Sequence, residues 1–184
     1  TFNEAVDEYY MTVALKEKME EAAKGAEREL EKQKRILQSQ QGALEDLRER
    51  VERNRKIGDA IFAHLDELQH LVQKIMDEKK SGKPWKQVIS EMEAERDAGR
   101  VPAVYFHSLE PNRLILNVSV EGLSFQLNLR HSIQANASGY YTRGKKAGKK
   151  LEGVEKALRG TEAKIEGLQR ERLEQTMETT RPPP

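Results

Sequence analysis

Cysteine is absent from the 184 residues. This excludes a disulfide scaffold and thiolate metal sites, and it fits a reducing, cytoplasmic setting. Apolar side chains are scarce, at 36% hydrophobic and 5% aromatic against 34% charged. An average domain has about 45–50% apolar residues, glycine included, and about 25% charged ones, so one well-filled globular core of this length is out of reach. Nowhere do 18 apolar residues run together, and no segment is therefore expected to span a membrane. The opening TFNEAVDEYY has neither a basic n-region nor an apolar h-region and is not a secretory signal. Charge of one sign is not in surplus either: 32 basic and 31 acidic side chains leave +1. Any nucleic-acid footprint must then be local.

Catalytic and cofactor motifs are missing as well. No GxxxxGK[ST], GxGxxG or GxSxG occurs, so neither a phosphate-cradling loop nor a nucleophile elbow is expected, and no cofactor is implied. The four histidines are His64, His70, His107 and His131. Asp66 and His70 share a helix face at i, i+4, but no HExxH or equivalent surrounds them, and they read as surface residues rather than ligands. Asn117-Val-Ser and Asn136-Ala-Ser match a glycosylation sequon, a pattern that arises often by chance and is discounted in a chain without a secretory signal.

What is present is periodicity. Thr1 and Glu4 have the spacing of a capping box, and no proline follows until Pro84. Steps of three and four then run through Leu30, Gln33, Leu37, Gln40, Leu44, Leu47, Val51, Asn54, Gly58, Ile61, Leu65, Leu68, Val72 and Ile75 without a break, the signature of a coiled coil. Upstream, Leu15, Met19, Ala22 and Ala26 continue the seam less regularly. Beyond residue 57 it is denser, joined by Phe62 and Leu71, and predicts a fuller core. KKSGK and Pro84 end this helix and start a short one whose face is Trp85, Val88, Ile89 and Met92.

After Pro102 the period switches to two. Val104/Phe106, Leu114/Leu116/Val118/Val120 and Phe125/Leu127/Leu129 are the inward sets of three strands, turned at Pro111-Asn112 and Glu121-Gly122, which predicts an antiparallel meander. A second heptad run follows through Ile133, Ala137, Tyr140, Gly144, Ala147, Leu151, Val154, Leu158, Thr161, Ile165, Leu168 and Arg172. The fold class is therefore mainly α with a small α+β module: a long antiparallel coiled-coil hairpin with a helix–helix–three-stranded meander inserted at its tip. The expected divisions are 1–56 for the first arm, 57–131 for the middle (tip) module, 132–178 for the second arm and 179–184 for a linker, the chain reading as an excised piece. Arms of matched length suggest pairing within one chain, over a stalk on the order of 70 Å. The glycines at 139, 144, 148, 153, 160 and 167 each cost about 1 kcal/mol against alanine in a helix, so pairing must hold the second arm. Ala137, Gly144 and Ala147 on the seam would let the backbones approach.

Between Glu121 and Glu152 no acidic residue occurs, while Arg130, Arg143, Lys145, Lys146, Lys149 and Lys150 all fall inside. Cations on a rigid rod suit contact with a phosphate backbone, and about three turns from the helix start they oppose its dipole, so helix stability does not explain them. Pairing with Glu45, Asp46, Glu49 and Glu52 of the other arm is the equal alternative. Tyr9-Tyr10 and Tyr140-Tyr141 read as packing where helices enter or leave a domain, and Trp85 as core.

Several strings resemble the NFACT family. TFNEAVDEYY is similar to the start of that family's coiled coil. The stretch from Tyr105 through Glu162, with LNLRHS, then NA and YY, then KKA and K-L-x-G, follows the order of its middle region. The resemblance implies a non-catalytic part of a ribosome-associated quality-control factor. Such factors bind the large ribosomal subunit, engage tRNA and support C-terminal tailing of stalled nascent chains. It also implies a protein partner at the tip module, met in eukaryotes by the ligase Listerin. The six cations of the acid-free window are the candidate RNA-binding residues. The older family label, fibronectin-binding protein A, offers a surface adhesin as the alternative, and a generic coiled-coil spacer with a protein-binding tip is a third.

Overall fold

A computed structural model describes residues 1–180. Among them the order is α1 (Phe2–Ala63), α2 (Leu65–Lys80), α3 (Trp85–Asp97), a 3-10 turn (Ala103–Tyr105), β1 (Phe106–Glu110), β2 (Ile115–Val120), β3 (Leu123–Asn128) and α4 (Ile133–Thr180). This is the mainly helical architecture that the two periodicities call for, with α1 and α4 packed as an antiparallel hairpin. Of the expected linker, residues 181–184 lie outside the described residues, and Thr179 and Thr180 belong to α4. The residues group into two compact units, one of Thr1–Asp46 with α4 from Lys150 onward, the other of Leu47–Lys149.

In the first unit the heptad seam is real but thin. Leu30 and Gln33 of α1 and Thr161 and Ile165 of α4 are buried, while Leu37, Gln40, Leu44, Val154, Leu158 and Leu168 are half-buried. Gln33 spends its amide on Glu29 of its own helix, 3.0 Å away, and Glu27 meets Arg172 across the pair at 3.8 Å. The upstream extension of the seam is not buried. Leu15 and Met19 stay exposed, as do Ala22 and Ala26. Antiparallel counting from Glu27–Arg172 brings Met19 opposite Thr180, so the turns before it have no partner among the described residues. Tyr9 and Tyr10 are exposed too, edge-on to each other rather than packed into a domain.

The second unit contains the core. Ile57, Ile61, Leu68, Leu71, Ile75, Val88 and Met92 from the helices meet Phe106, Leu109, Leu116, Val118, Val120, Phe125 and Leu127 from the sheet and Ile133, Ala137 and Tyr140 from α4. Three expectations shift here. The unbroken run to Ile75 is interrupted at His64, which separates α1 from α2. Periodicity is blind to this break because both helices bury the same stripe. Phe62 lies at the rim instead of inside, stacked on Tyr141, while Trp85 is half-buried against the core, under the Lys79 ammonium. Val104 belongs to the 3-10 turn, and β1 begins at Phe106. A bulge between Phe106 and Ser108 then turns Leu109 inward, breaking the alternation. Leu114 takes a positive φ of 51° in the β1–β2 turn, and Leu129 follows β3, its N–H bonded to the Leu114 carbonyl.

The sheet is antiparallel in the order β1-β2-β3. Glu121 and Gly122 both take positive φ, 51° and 78°, as the tight primed hairpin turn requires. Both outer edges, which would otherwise expose unpaired backbone groups, are closed by side chains. On β1, Arg96 of α3 donates to the carbonyls of Phe106 and His107, at 3.5 and 3.2 Å. On β3, Arg53 of α1 donates to Ser124 O at 3.0 Å. One pleat further, the Gln126 N–H donates to the Tyr140 hydroxyl at 3.1 Å, and that hydroxyl donates to Gln126 O at 2.6 Å. One pleat further again, the Asn128 N–H donates to Asn136 Oδ1 at 2.8 Å while Asn136 Nδ2 donates to Asn128 O at 3.0 Å. Asn136 is thus consumed by the fold, consistent with discounting it as a sequon.

The backbones approach at Gly144, where an added Cβ would sit 3.5 Å from Asn54 Cβ and 3.8 Å from the Val51 carbonyl oxygen. Gly58 makes room for a side chain instead, and a Cβ there would lie 2.6 Å from the Tyr141 ring. That ring cannot swing away, since its hydroxyl donates to Asp59 Oδ1 at 2.5 Å and its face stacks on Phe62. Gly148, Gly153, Gly160 and Gly167 have open space around them, and nothing in the packing explains them.

Gly58→Ala is expected to lower the melting temperature by several degrees, an overpacking cost of about 1–3 kcal/mol exceeding the gain in helix propensity. Gly42→Ala, in open space, should raise it by about 1 kcal/mol equivalent; thermal unfolding of the two variants checks the opposite signs. Tyr140→Phe should cost about 1–3 kcal/mol by stranding the Gln126 N–H. Amide hydrogen exchange should show faster exchange at Gln126, with Leu116 in the protected centre least affected.

Candidate nucleic-acid interface

Helix α4 opens with Ser132 as its cap, the hydroxyl accepting from Ala135 N–H at 3.0 Å. From Ile133 to Leu151 it carries no acid. Ile133, Asn136, Ala137 and Tyr140 are turned to the core and to the β3 edge. At about 100° per residue, Lys145, Lys149, Lys146, Lys150 and Arg143 then fall in that order around about 160° of the opposite side. All five are exposed. Lys150 is the first α4 residue of the other compact unit, on the same helix. Arg130 is exposed in the connection after β3, set about 18 Å from Lys145 by the intervening turns of α4. Within the Leu47–Lys149 unit Arg143, Lys145, Lys146 and Lys149 therefore gather, and Arg130 does not.

Within the Leu47–Lys149 unit no ion pair joins Arg130, Arg143, Lys145, Lys146 or Lys149 to Glu49 or Glu52. Glu52 is engaged by Arg55 and Lys56 of its own helix, at 3.1 and 3.9 Å. Arg143 alone is positioned by the fold, its guanidinium 4.1 Å from the Tyr140 ring centre and its Nε donating to Gly139 O at 3.3 Å. The two tyrosines flanking these cations serve packing, as expected. The Tyr141 hydroxyl is pushed up from its ordinary range by its hydrogen bond to Asp59.

The histidines do not converge on a metal site. Among the described residues no three metal-ligating side chains cluster. His64 instead joins three elements at the α1–α2 break. Nδ1 lies 3.2 Å from Glu67, Nε2 lies 3.2 Å from Glu121 in the β2–β3 turn, and its ring leans on Tyr105. Its isolated place in the sequence carried no sign of this junction. Hydrogen bonds from the Tyr105 hydroxyl, then from His64, hold the Glu67 carboxyl below its ordinary range. Burial pushes Glu78 the other way.

The fold and the exposed cations together define a coiled-coil protein with a small α+β module and a charged helix face. The family model described as NFACT N-terminal and middle domains matches residues 1–182, and the chain belongs to the NFACT family. No match was found among curated proteins. No helix of the described residues is long and apolar enough to cross a membrane.

Because the folded Glu67 pKa lies below its unfolded value near 4.5, its contribution to stability is complete above that value and lost as pH falls through the folded one. Glu67→Gln should therefore flatten the acid limb of the melting temperature against pH, measured between about pH 6 and 3.

Proposed function

We propose that this chain is a non-catalytic, ribosome-reaching part of a cytoplasmic quality-control factor. In this reading it holds the large subunit and supports tRNA engagement and C-terminal tailing of stalled nascent chains. Membership of the NFACT family supports the class of factor. The observation that carries the contact is the acid-free arc of Arg143, Lys145, Lys146 and Lys149 on the outward side of α4 in the Leu47–Lys149 unit, which Lys150 continues along the helix, without an ion pair among the described residues. Cations held on a helix, with no competing carboxylates, are attracted to phosphates in a salt-dependent, sequence-neutral way. The module of α2, α3 and the sheet is the place for a protein partner. Arg130, apart from the arc, is given no share in the contact.

Charge reversal of Arg143, Lys145, Lys146, Lys149 and Lys150 to Glu is expected to reduce co-sedimentation of the protein with large ribosomal subunits at least tenfold at physiological salt. Arg130→Glu should have little effect. Unchanged sedimentation of the five-site variant across salt concentrations would rule the contact out.

A further inference from the structure

The arrangement of the cations says which form of RNA they suit, an inference that rests on the proposed RNA contact. Within the Leu47–Lys149 unit the cations form two flanks. Lys145 and Lys149 stand at i, i+4 on one, and Lys146 with Arg143 at i, i−3 on the other; Lys150 follows Lys146 at i+4 on the same helix. Each i, i+4 step rises about 6 Å along the helix, a stride suited to successive phosphates of one strand. The flanks diverge around a rod about 10–12 Å across, so a single strand lying along one of them leaves the other unused. Two strands, one on each side of a groove, engage both.

A stacking platform for unpaired bases is also missing from the arc. Single-stranded RNA is held by aromatic faces as much as by charge, and the structure withdraws both neighbouring tyrosines. Tyr140 is buried with its hydroxyl bonded to the β3 edge, and Tyr141 lies between Gly58 and Phe62 with its hydroxyl on Asp59. Phe62 is the exposed aromatic nearest the arc. Asn54 packs opposite Gly144, which sets residue 55 opposite Arg143, so Phe62 stands about seven residues, about 10 Å, along the helices from the start of the arc. There it has the carboxylate of Asp59 one turn away on its own helix. A phosphate chain reaching it from Lys145 would be repelled.

We infer that the α4 arc recognises double-helical RNA by its backbone, lying across the wide, shallow minor groove with one flank of cations toward each strand. The deep, narrow major groove of A-form RNA does not admit a helix. Binding is neutral to sequence and steep in salt.

The test titrates the protein, with salt varied, against a blunt RNA duplex of about 20 base pairs and against oligouridine with the same number of nucleotides. Variants are Lys145→Gln with Lys149→Gln, and Arg143→Gln with Lys146→Gln, each checked for an unchanged fold by circular dichroism. The duplex should bind at least tenfold more tightly. Each double variant should make the slope of log affinity against log salt about two units shallower. Oligouridine binding as tightly as the duplex, or one flank whose neutralisation leaves the slope unchanged, would overturn the double-helix inference while the RNA contact stands. Absence of binding to either RNA, with the five-site charge reversal still releasing large subunits, would transfer the arc to a protein partner and overturn both.

Discussion

The Leu47–Lys149 unit depends on how the free edge of β3 is closed. A three-stranded sheet has two edges and little area, and its outermost backbone groups must find partners or invite another chain. Here α4 acts in place of a fourth strand. Asn136 and Tyr140, four residues apart on a helix, rise about 6 Å; Asn128 and Gln126, two residues apart on a strand, span nearly the same distance. The near-coincidence lets two side chains of α4 satisfy both the donor and the acceptor of two successive outward-facing residues. Arg53 of α1 extends the closure to Ser124. The strand edge thereby fixes both the position and the rotation of the helix.

That rotation has a consequence for charge. With Asn136 and Tyr140 turned to the strand, the helix cannot roll, and Lys145 and Lys149 are held on the opposite side. Tyr141 locks the same setting from α1, its ring filling the space that Gly58 leaves open and its hydroxyl engaging Asp59. The basic face is a by-product neither of helix propensity nor of the dipole; its direction follows from hydrogen bonds made two turns earlier. Arg143 belongs to both systems, stacked on Tyr140 and exposed at the border of the arc.

The readable features were those with a period or a local cause. Heptads located α1 and α4, alternation located β2 and β3, and Glu121-Gly122 located the hairpin turn. The misreadings have local physical reasons. The helix break at His64 leaves the apolar stripe intact and so leaves no trace in spacing. The bulge after Phe106 adds one residue and inverts the alternation that Val104/Phe106 implied. Leu15 fits the seam, but a seam position is buried only where another helix lies across it. Asn136, read as a sequon and set aside, is an edge cap, and an asparagine four residues before a tyrosine gives no hint of this without the strand beside it.

By itself, the sequence determined the class of the protein: scarce apolar mass spread over heptads, one denser segment able to form a core, and an acid-free window unlike the rest of the chain. These are properties of composition and period, which act along the chain and survive without tertiary contacts. Only the tertiary structure decided that Gly58 makes room for the Tyr141 ring. It also decided that both tyrosines inside the window are occupied in packing, and that Arg143, Lys145, Lys146 and Lys149 share one outward arc while Arg130 stands apart. Those outcomes depend on which face of one element meets another, a relation set by non-local hydrogen bonds and by volume.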